Sequence, residues 1–551
     1  MNTRLLRFLQ SLSGFGLLLA ALMFAASFTP SLVPRAWWAQ GLVSASCAIA
    51  GYLLGNLVRW IWNFLELPWW RGHLARALWL VGTVVCIALV MLALWQAAAW
   101  QDSIRLRMGM ESESRFFAPM ACLLAVVLFV ILLMLGRLFA FVLRWVDLRT
   151  RRFLPRRVAL LLSIALTLAL FWSIGNGVFF RLWLKAADSS YRQYDELVDE
   201  HTLLAALPER TRGYLTATQW KDIGRRGRDF LATGPTAAQI ADFYGADAKA
   251  PIRVYVGLRS AETARARAAL ALDQLKQAHA FNRAALIVMT PTGSGWIDPG
   301  AVDSVEYLMR GDVASVTVQY SYLSSPLSLL TEPEYGAETS RELFRAIYGY
   351  WHELPHDRRP RLYLHGLSLG AMNSERSTEW LTLLGDPFDG AMWSGPPFPS
   401  ELWQWFTAHR NPGSPAWLPT YGDGTLVRFV GQEPLRGESA AGHARIAYLQ
   451  YATDAIAFYS HRYFLHRPDW LDAPRGPEVS PAMRWFPLVT GIQLVFDMPA
   501  AINSPEGHGH AYAPASYVDA WAVLLDRHDD SPETIARLKR RLTQAAGDHA
   551  L

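Results

Sequence analysis

Five long apolar runs occupy the first third of the chain, at roughly 12–34, 40–63, 77–99, 117–142 and 157–180, separated by short arginine-rich stretches. Each is near the ~20 residues that carry an α-helix across a bilayer. Beyond residue 185 the pattern changes. Residues 186–250 are polar with helical spacing, as in DELVDEHTLLAAL and TATQWKDIGRRGRDFLATG, whose charge run reads as a solvated helix face. From residue 252 short β-branched runs alternate with helical segments. IRVYVGL, AALIVMT, VASVTVQYS, RLYLH, GAMWSG, TLVRFVG and RIAYLQYA are the strand candidates. Helical stretches such as SAETARARAALALDQLKQAHAF, GAETSRELFRAIYGYWHEL and AMNSERSTEWLTLL fall between the earlier ones. This alternation predicts an α/β class with a mainly parallel sheet flanked by helices. The division that follows is a transmembrane helical domain of about five helices over 1–185, a helical linker over 186–250 and an α/β domain over 251–551.

Composition agrees with a membrane domain. Of the 551 residues, 52% are hydrophobic and 18% are charged, against ~25% charged in soluble domains. That excludes a disordered chain and disfavours an ordinary soluble enzyme. The net charge of +5 is unevenly placed: residues 1–185 carry 18 Lys+Arg against 5 Asp+Glu, and the remainder carries 34 against 42. The basic excess therefore belongs to the hydrophobic part, which argues against a nucleic-acid partner. Arg4 and Arg7 precede the first run, so a cleaved signal peptide is one reading. The run is too long for that, and four more follow, so a retained helix is the better reading. With the N-terminus inside, twelve arginines fall on inner segments and four (Arg35, Arg105, Arg107, Arg115) on outer ones. Five spans then place the α/β domain outside the cytoplasm, at the periplasmic face of a bacterial inner membrane. Acidic residues of the first part sit at span ends or in loops, so an anchor is a better reading than a transporter. The three cysteines, Cys47, Cys86 and Cys122, lie in the apolar part and offer neither a disulfide framework nor a metal site.

The strongest chemical signal is Gly366-Leu367-Ser368-Leu369-Gly370, a G-x-S-x-G between the strand RLYLH and the helix AMNSERSTEW. Small residues around a serine at a strand-to-helix turn expose its hydroxyl and aim the next backbone N–H, that of Leu369, at a substrate oxygen. The turn is taken to follow the fifth strand of the sheet. A serine nucleophile of this kind takes its acid and then its base from later in the chain. Asp454 ends RIAYLQYATD and is the expected acid. Asp386 and Asp389 are rivals, but Asp389 opens a strand, and Asp497 lies in an apolar helical stretch. The base is expected in the loop Gly507-His508-Gly509-His510, with His508 chosen and His510 close behind. An H-x-H pair also occurs at zinc sites, but no third ligand cluster accompanies this one.

A second oxyanion donor is expected from the glycine loop Thr290-Pro291-Thr292-Gly293-Ser294-Gly295-Trp296, taken to follow the third strand, with Gly293 as the donor. The loop lacks the lysine and spacing of a phosphate loop. His352-Glu353-Leu354-Pro355-His356 matches H-E-x-x-H in letters only, because Pro355 breaks the helix such a zinc site needs. Trp403, Trp405, Phe406 and Trp417 fit either an apolar cap over the site or ordinary core.

Several segments taken together, FTPSLVPR, GRDFLATGP, PIRVYVGL, TPTGSGWIDP, LHGLSLGAMNSE and GHGHAY, resemble the bacterial membrane-anchored α/β-hydrolase family with a multi-helix N-terminal domain. The resemblance covers nearly the whole chain. It implies an α/β-hydrolase fold and a serine hydrolase site mapping onto Ser368, Asp454 and a histidine of GHGH, and it brings no settled substrate. The expectation is therefore a membrane-bound serine hydrolase cleaving carboxylic esters, lipid-like ones foremost, with no metal or organic cofactor. An acyltransferase with the same triad and a non-catalytic envelope binding module on the same fold are the alternatives.

Overall fold

The computed structural model describes residues 12–69, 72–174, 195, 215, 217–325, 327–328, 333–378, 385–433, 444–525 and 530–550. Arg4, Arg7, Arg71, Lys185, the last part of the fifth apolar run and, apart from Asp195, the linker segment DELVDEHTLLAAL lie outside the described residues. The chain divides into two compact units. One comprises Met1–Leu184 with Tyr459–Pro505, the other Lys185–Phe458 with Glu506–Leu551.

The first unit is helical. Gly14–Ser27, Trp37–Phe64, His73–Arg105, Phe117–Thr150 and Arg156–Trp172 fall on the five apolar runs. Three helices, Trp37–Phe64, His73–Met108 and Phe117–Thr150, are long and apolar enough to cross a membrane, so the described residues give three spans and not five. The first run is cut short by Pro30 and Pro34, which cannot continue a helix, leaving 14 helical residues. Arg156–Trp172 has 17. Residues 459–505, assigned from the sequence to the α/β domain, pack here instead. Val489, at the start of the apolar helix Val489–Ile502, is buried against Val43 and Cys47. Asp497 of the same helix forms an ion pair of 2.8 Å with Arg35, both side chains fully buried.

The second unit is built on a seven-stranded sheet: β1 Ile252–Val256, β2 Ala285–Thr290, β3 Val313–Val318, β4 Arg361–Leu367, β5 Gly390–Ser394, β6 Val427–Val430 and β7 Ile446–Leu449. The spatial order is β1-β3-β2-β4-β5-β7-β6 and every pairing is parallel. All seven fall on the β-branched runs read from the sequence. Their side chains are buried on both faces, save Arg361 at the start of β4, as a parallel sheet covered by helices requires. Counted along the chain, the G-x-S-x-G turn follows the fourth strand and the glycine loop the second, one position earlier in each case than expected. β4 occupies the centre of the sheet, and parallel strands bring the ends of β4, β5 and β7 to one edge. Ligands of open parallel sheets bind beyond that carboxyl edge.

Candidate active site

Ser368 stands at the end of β4 and caps the helix Leu369–Ser377 with φ 56° and ψ −125°. Positive φ in a residue with a side chain costs about 1–3 kcal/mol and persists only where its surroundings enforce it. Here the enforcement is visible. The Ser368 N–H donates to the carbonyl of Ser394 at the end of β5, 2.9 Å away, and its own carbonyl accepts from Ala371 and Met372. The flanking glycines leave no room for a side chain: a Cβ on Gly366 would lie 2.4 Å from Gly370, and one on Gly370 would lie 2.3 Å from the Thr290 carbonyl oxygen. Leu369 begins the helix, so its N–H is among those that a helix leaves without an internal acceptor.

Asp454 follows β7 and is fully buried. Oδ1 accepts from the N–H groups of Ile456 (2.9 Å) and Ala457 (3.3 Å). Oδ2 lies 2.7 Å from His510 Nδ1 and accepts from the Tyr512 hydroxyl at 2.6 Å. The imidazole partner is thus His510 and not His508. The reason is a register set by one bond: Thr453 Oγ1 accepts from the Gly509 N–H at 3.0 Å, which brings the residue after Gly509 over the residue after Thr453. His508 faces elsewhere, with Nδ1 3.1 Å from Gln432 Nε2, and its burial lowers its pKa. His510 Nε2, the opposite ring nitrogen, is buried and has no hydrogen-bond partner among the described residues.

Gly395 connects the serine to the histidine. It follows Ser394, the acceptor of the Ser368 N–H, with φ 50°. A Cβ there would lie 2.6 Å from His510 Cε1 and 2.8 Å from the Tyr512 hydroxyl. The imidazole therefore rests against backbone one residue from the atom that holds the elbow. Gly395→Ala is expected to displace His510 and slow any acylation of Ser368 about a hundredfold, the scale of a misplacement of about 1 Å in a reacting constellation. The fold is expected to survive, because the atoms met are side chains. Rates of fluorophosphonate labelling beside thermal unfolding check this, and an unchanged labelling rate would contradict it.

Gly293 is not placed as an oxyanion donor. Its N–H donates to Ser325 Oγ at 3.1 Å, and the Thr292 and Gly295 amides are also committed within the loop or its close. Asp386 is bound by Arg359 and His352, which belongs to the H-E-x-x-H letters, and Asp389 accepts from the Leu362 N–H. Of the aromatics, Trp403 and Phe406 are buried and Trp405 is exposed, stacked on His409. Trp403 Nε1 donates to Gln450.

Sequence reading missed Tyr512 and Gly395. The first had a signal, since His510 and Tyr512 are two residues apart in GHGHAY, a spacing that lets an extended segment aim both at one carboxylate.

The family whose model is described as "Alpha/beta-hydrolase family" matches residues 252–538, and its N-terminal companion, "Alpha/beta-hydrolase family N-terminus", matches residues 28–235. The chain belongs to the alpha/beta-hydrolase family. No curated protein and no solved structure matches it. The hydrolase match spans all seven strands, Ser368, Asp454 and His510. The N-terminal match begins at Phe28, the first residue of FTPSLVPR.

Behind the elbow, Glu375 is buried in the hydrolase unit and holds the Leu402 N–H (2.6 Å) and the Tyr448 hydroxyl (3.2 Å). Burial pushes its pKa from 4.5 up to about 7, against the lowering effect of those two donors. A raised carboxyl pKa means the folded state holds the proton more tightly. The associated stability is present below pH 4.5 and is lost as pH rises through about 7. Thermal unfolding is therefore expected to show a loss on the order of 3 kcal/mol across that window. Glu375→Gln, which keeps an acceptor for Leu402, is expected to make the dependence shallower without removing it, because burial also pushes Asp298 up to about 7. An unchanged slope in the variant would assign it to another group.

Proposed function

We propose that the chain is a serine ester hydrolase working through an acyl-enzyme. The observation that carries the reading is the pairing in His510. Nδ1 is held by a buried carboxylate, the buried Nε2 has no partner among the described residues, and the ring packs on Gly395, the neighbour of the Ser394 that fixes the strained Ser368 turn. In this reading Nε2 takes the Ser368 Oγ proton as the oxygen attacks the ester carbonyl. Asp454 fixes the tautomer and stabilises the imidazolium. The Leu369 N–H stabilises the oxyanion. The imidazolium then protonates the departing alcohol oxygen, leaving the acyl group on Ser368. Water, deprotonated by His510, attacks that ester and releases the acid.

The substrate class we assign is a lipid-like carboxylic ester, and the location a bacterial inner membrane with the hydrolase unit on the periplasmic side. Three helices long and apolar enough to span a bilayer support the membrane location, and the inner–outer arginine asymmetry supports the periplasmic side where all five apolar runs of the sequence cross. The test is a mass measurement on the full-length chain incubated with p-nitrophenyl esters of increasing chain length. An acyl mass on the peptide bearing Ser368 is expected, with the yield rising with chain length. No adduct with any ester, from folded protein, would overturn the reading. Product analysis with an alcohol present separates hydrolysis from acyl transfer, since only transfer yields a new ester.

A further inference from the structure

We propose that the helical unit binds one anionic glycerophospholipid, with an acyl chain in an apolar cavity and its phosphate on Arg59. The cavity, about 390 Å³, lies within that unit and is lined by Leu18, Val58, Trp62, Trp69, Leu78 and their neighbours. Its size falls in the range of sites that hold small apolar ligands. Arg59 is the one charged residue in the lining. It is exposed, and among the described residues it has no hydrogen-bond or ion-pair partner. Arg76, next to the lining residue Ala75, is likewise exposed.

The chemistry of the lining selects the occupant. A wall of aliphatic and indole carbon takes an alkyl chain and offers nothing to a polar solute. Trp69 is folded back onto the helix Trp37–Phe64, with Nε1 donating to Asn63 Oδ1 at 2.9 Å and its ring 5.8 Å from that of Trp62. Tryptophans with a satisfied N–H and an apolar body belong at the headgroup level of a bilayer. A guanidinium at the same level, without a protein counter-ion, matches the two non-bridging oxygens of a phosphodiester. A zwitterionic lipid brings its own cation to that position and gains less.

Native mass spectrometry of the full-length chain in detergent, titrated with phosphatidylglycerol or phosphatidylcholine of identical acyl chains, tests this. Phosphatidylglycerol is expected to be retained at roughly five- to tenfold lower concentration, the scale of one partly solvated charged hydrogen bond. Arg59→Gln is expected to erase the preference, leaving phosphatidylcholine retention unchanged. Ala75→Trp, which fills the cavity, is expected to lower retention of both. Equal retention of the two lipids by the wild-type chain would overturn the proposal. So would a preference that survives Arg59→Gln.

Discussion

Replacing His510 with Gln is expected to abolish serine acylation as completely as replacing Ser368 with Ala, whereas His508→Gln leaves most of it. Members of such a unit fail together, and loss of the nucleophile or of its base costs on the order of 10⁴- to 10⁶-fold. The two histidines are two residues apart, yet their surroundings are opposite. His510 Nδ1 is fixed on Asp454, and its Nε2 is the ring atom left without a partner in a buried setting. A lone buried ring nitrogen costs free energy unless a ligand or a reacting proton uses it. His508 spends Nδ1 beside Gln432, away from the carboxylate, so glutamine in its place removes no link between acid and serine. Fluorophosphonate labelling of membranes holding each variant, with ester turnover measured in parallel, gives the answer. Equal mild losses in both histidine variants would remove His510 as the base. Labelling that survives Ser368→Ala would assign the nucleophile to another serine.

What the sequence makes legible is what local chemistry decides. Each strand is a short, mostly apolar run closed by turn residues. The elbow is legible because five residues suffice to define its backbone, and Asp454 because it follows a strand at the carboxyl edge. The histidine that pairs with Asp454 is not legible by the same means. GHGH offers two histidines, and the choice rests on the bond from the Gly509 N–H to Thr453, 56 residues away in the chain. The glycine loop after β2 is visible as flexible and close-packed. That the Gly293 amide is consumed by Ser325 depends on a segment 32 residues further along. The apolar run at 12–34 is long enough in composition to cross a bilayer, but two prolines within it decide where helix ends. Asp497 looks misplaced in an apolar helix because its partner is Arg35, 462 positions earlier.

That pair carries the second large expectation: Arg35→Ala destabilises the helical unit by about 3–5 kcal/mol, the usual cost of leaving one buried charge without its partner. Both side chains are fully buried, so neither is relieved by water. The guanidinium is bonded on every side: Nε to Asp497 at 2.8 Å, Nη1 to Gln40 Oε1 at 3.0 Å and Nη2 to the Ser31 hydroxyl. Asp497 Oδ2 also accepts from the Leu32 N–H at 3.2 Å. One turn before it, Gln493 donates to the Ser27 and Thr29 carbonyls. The segment FTPSLVPR, helix-breaking and polar between two apolar helices, thus has its Thr29 carbonyl, its Leu32 amide and the Arg35 Nε bonded to the helix Val489–Ile502 of the same unit. The pair gives direction more than net stability, since desolvation offsets most of its attraction. Arg35→Met with Asp497→Leu should therefore recover more than half of the loss, though not all, because Gln40, Ser31 and the Leu32 amide lose their partners. Thermal unfolding of the full-length variants in detergent, followed by tryptophan fluorescence, is expected to fall by roughly 10 °C in the single variant and to rise again in the double. A double variant no better than the single would mean that the hydrogen bonds around the pair, and not the unpaired charge, hold the segment in place.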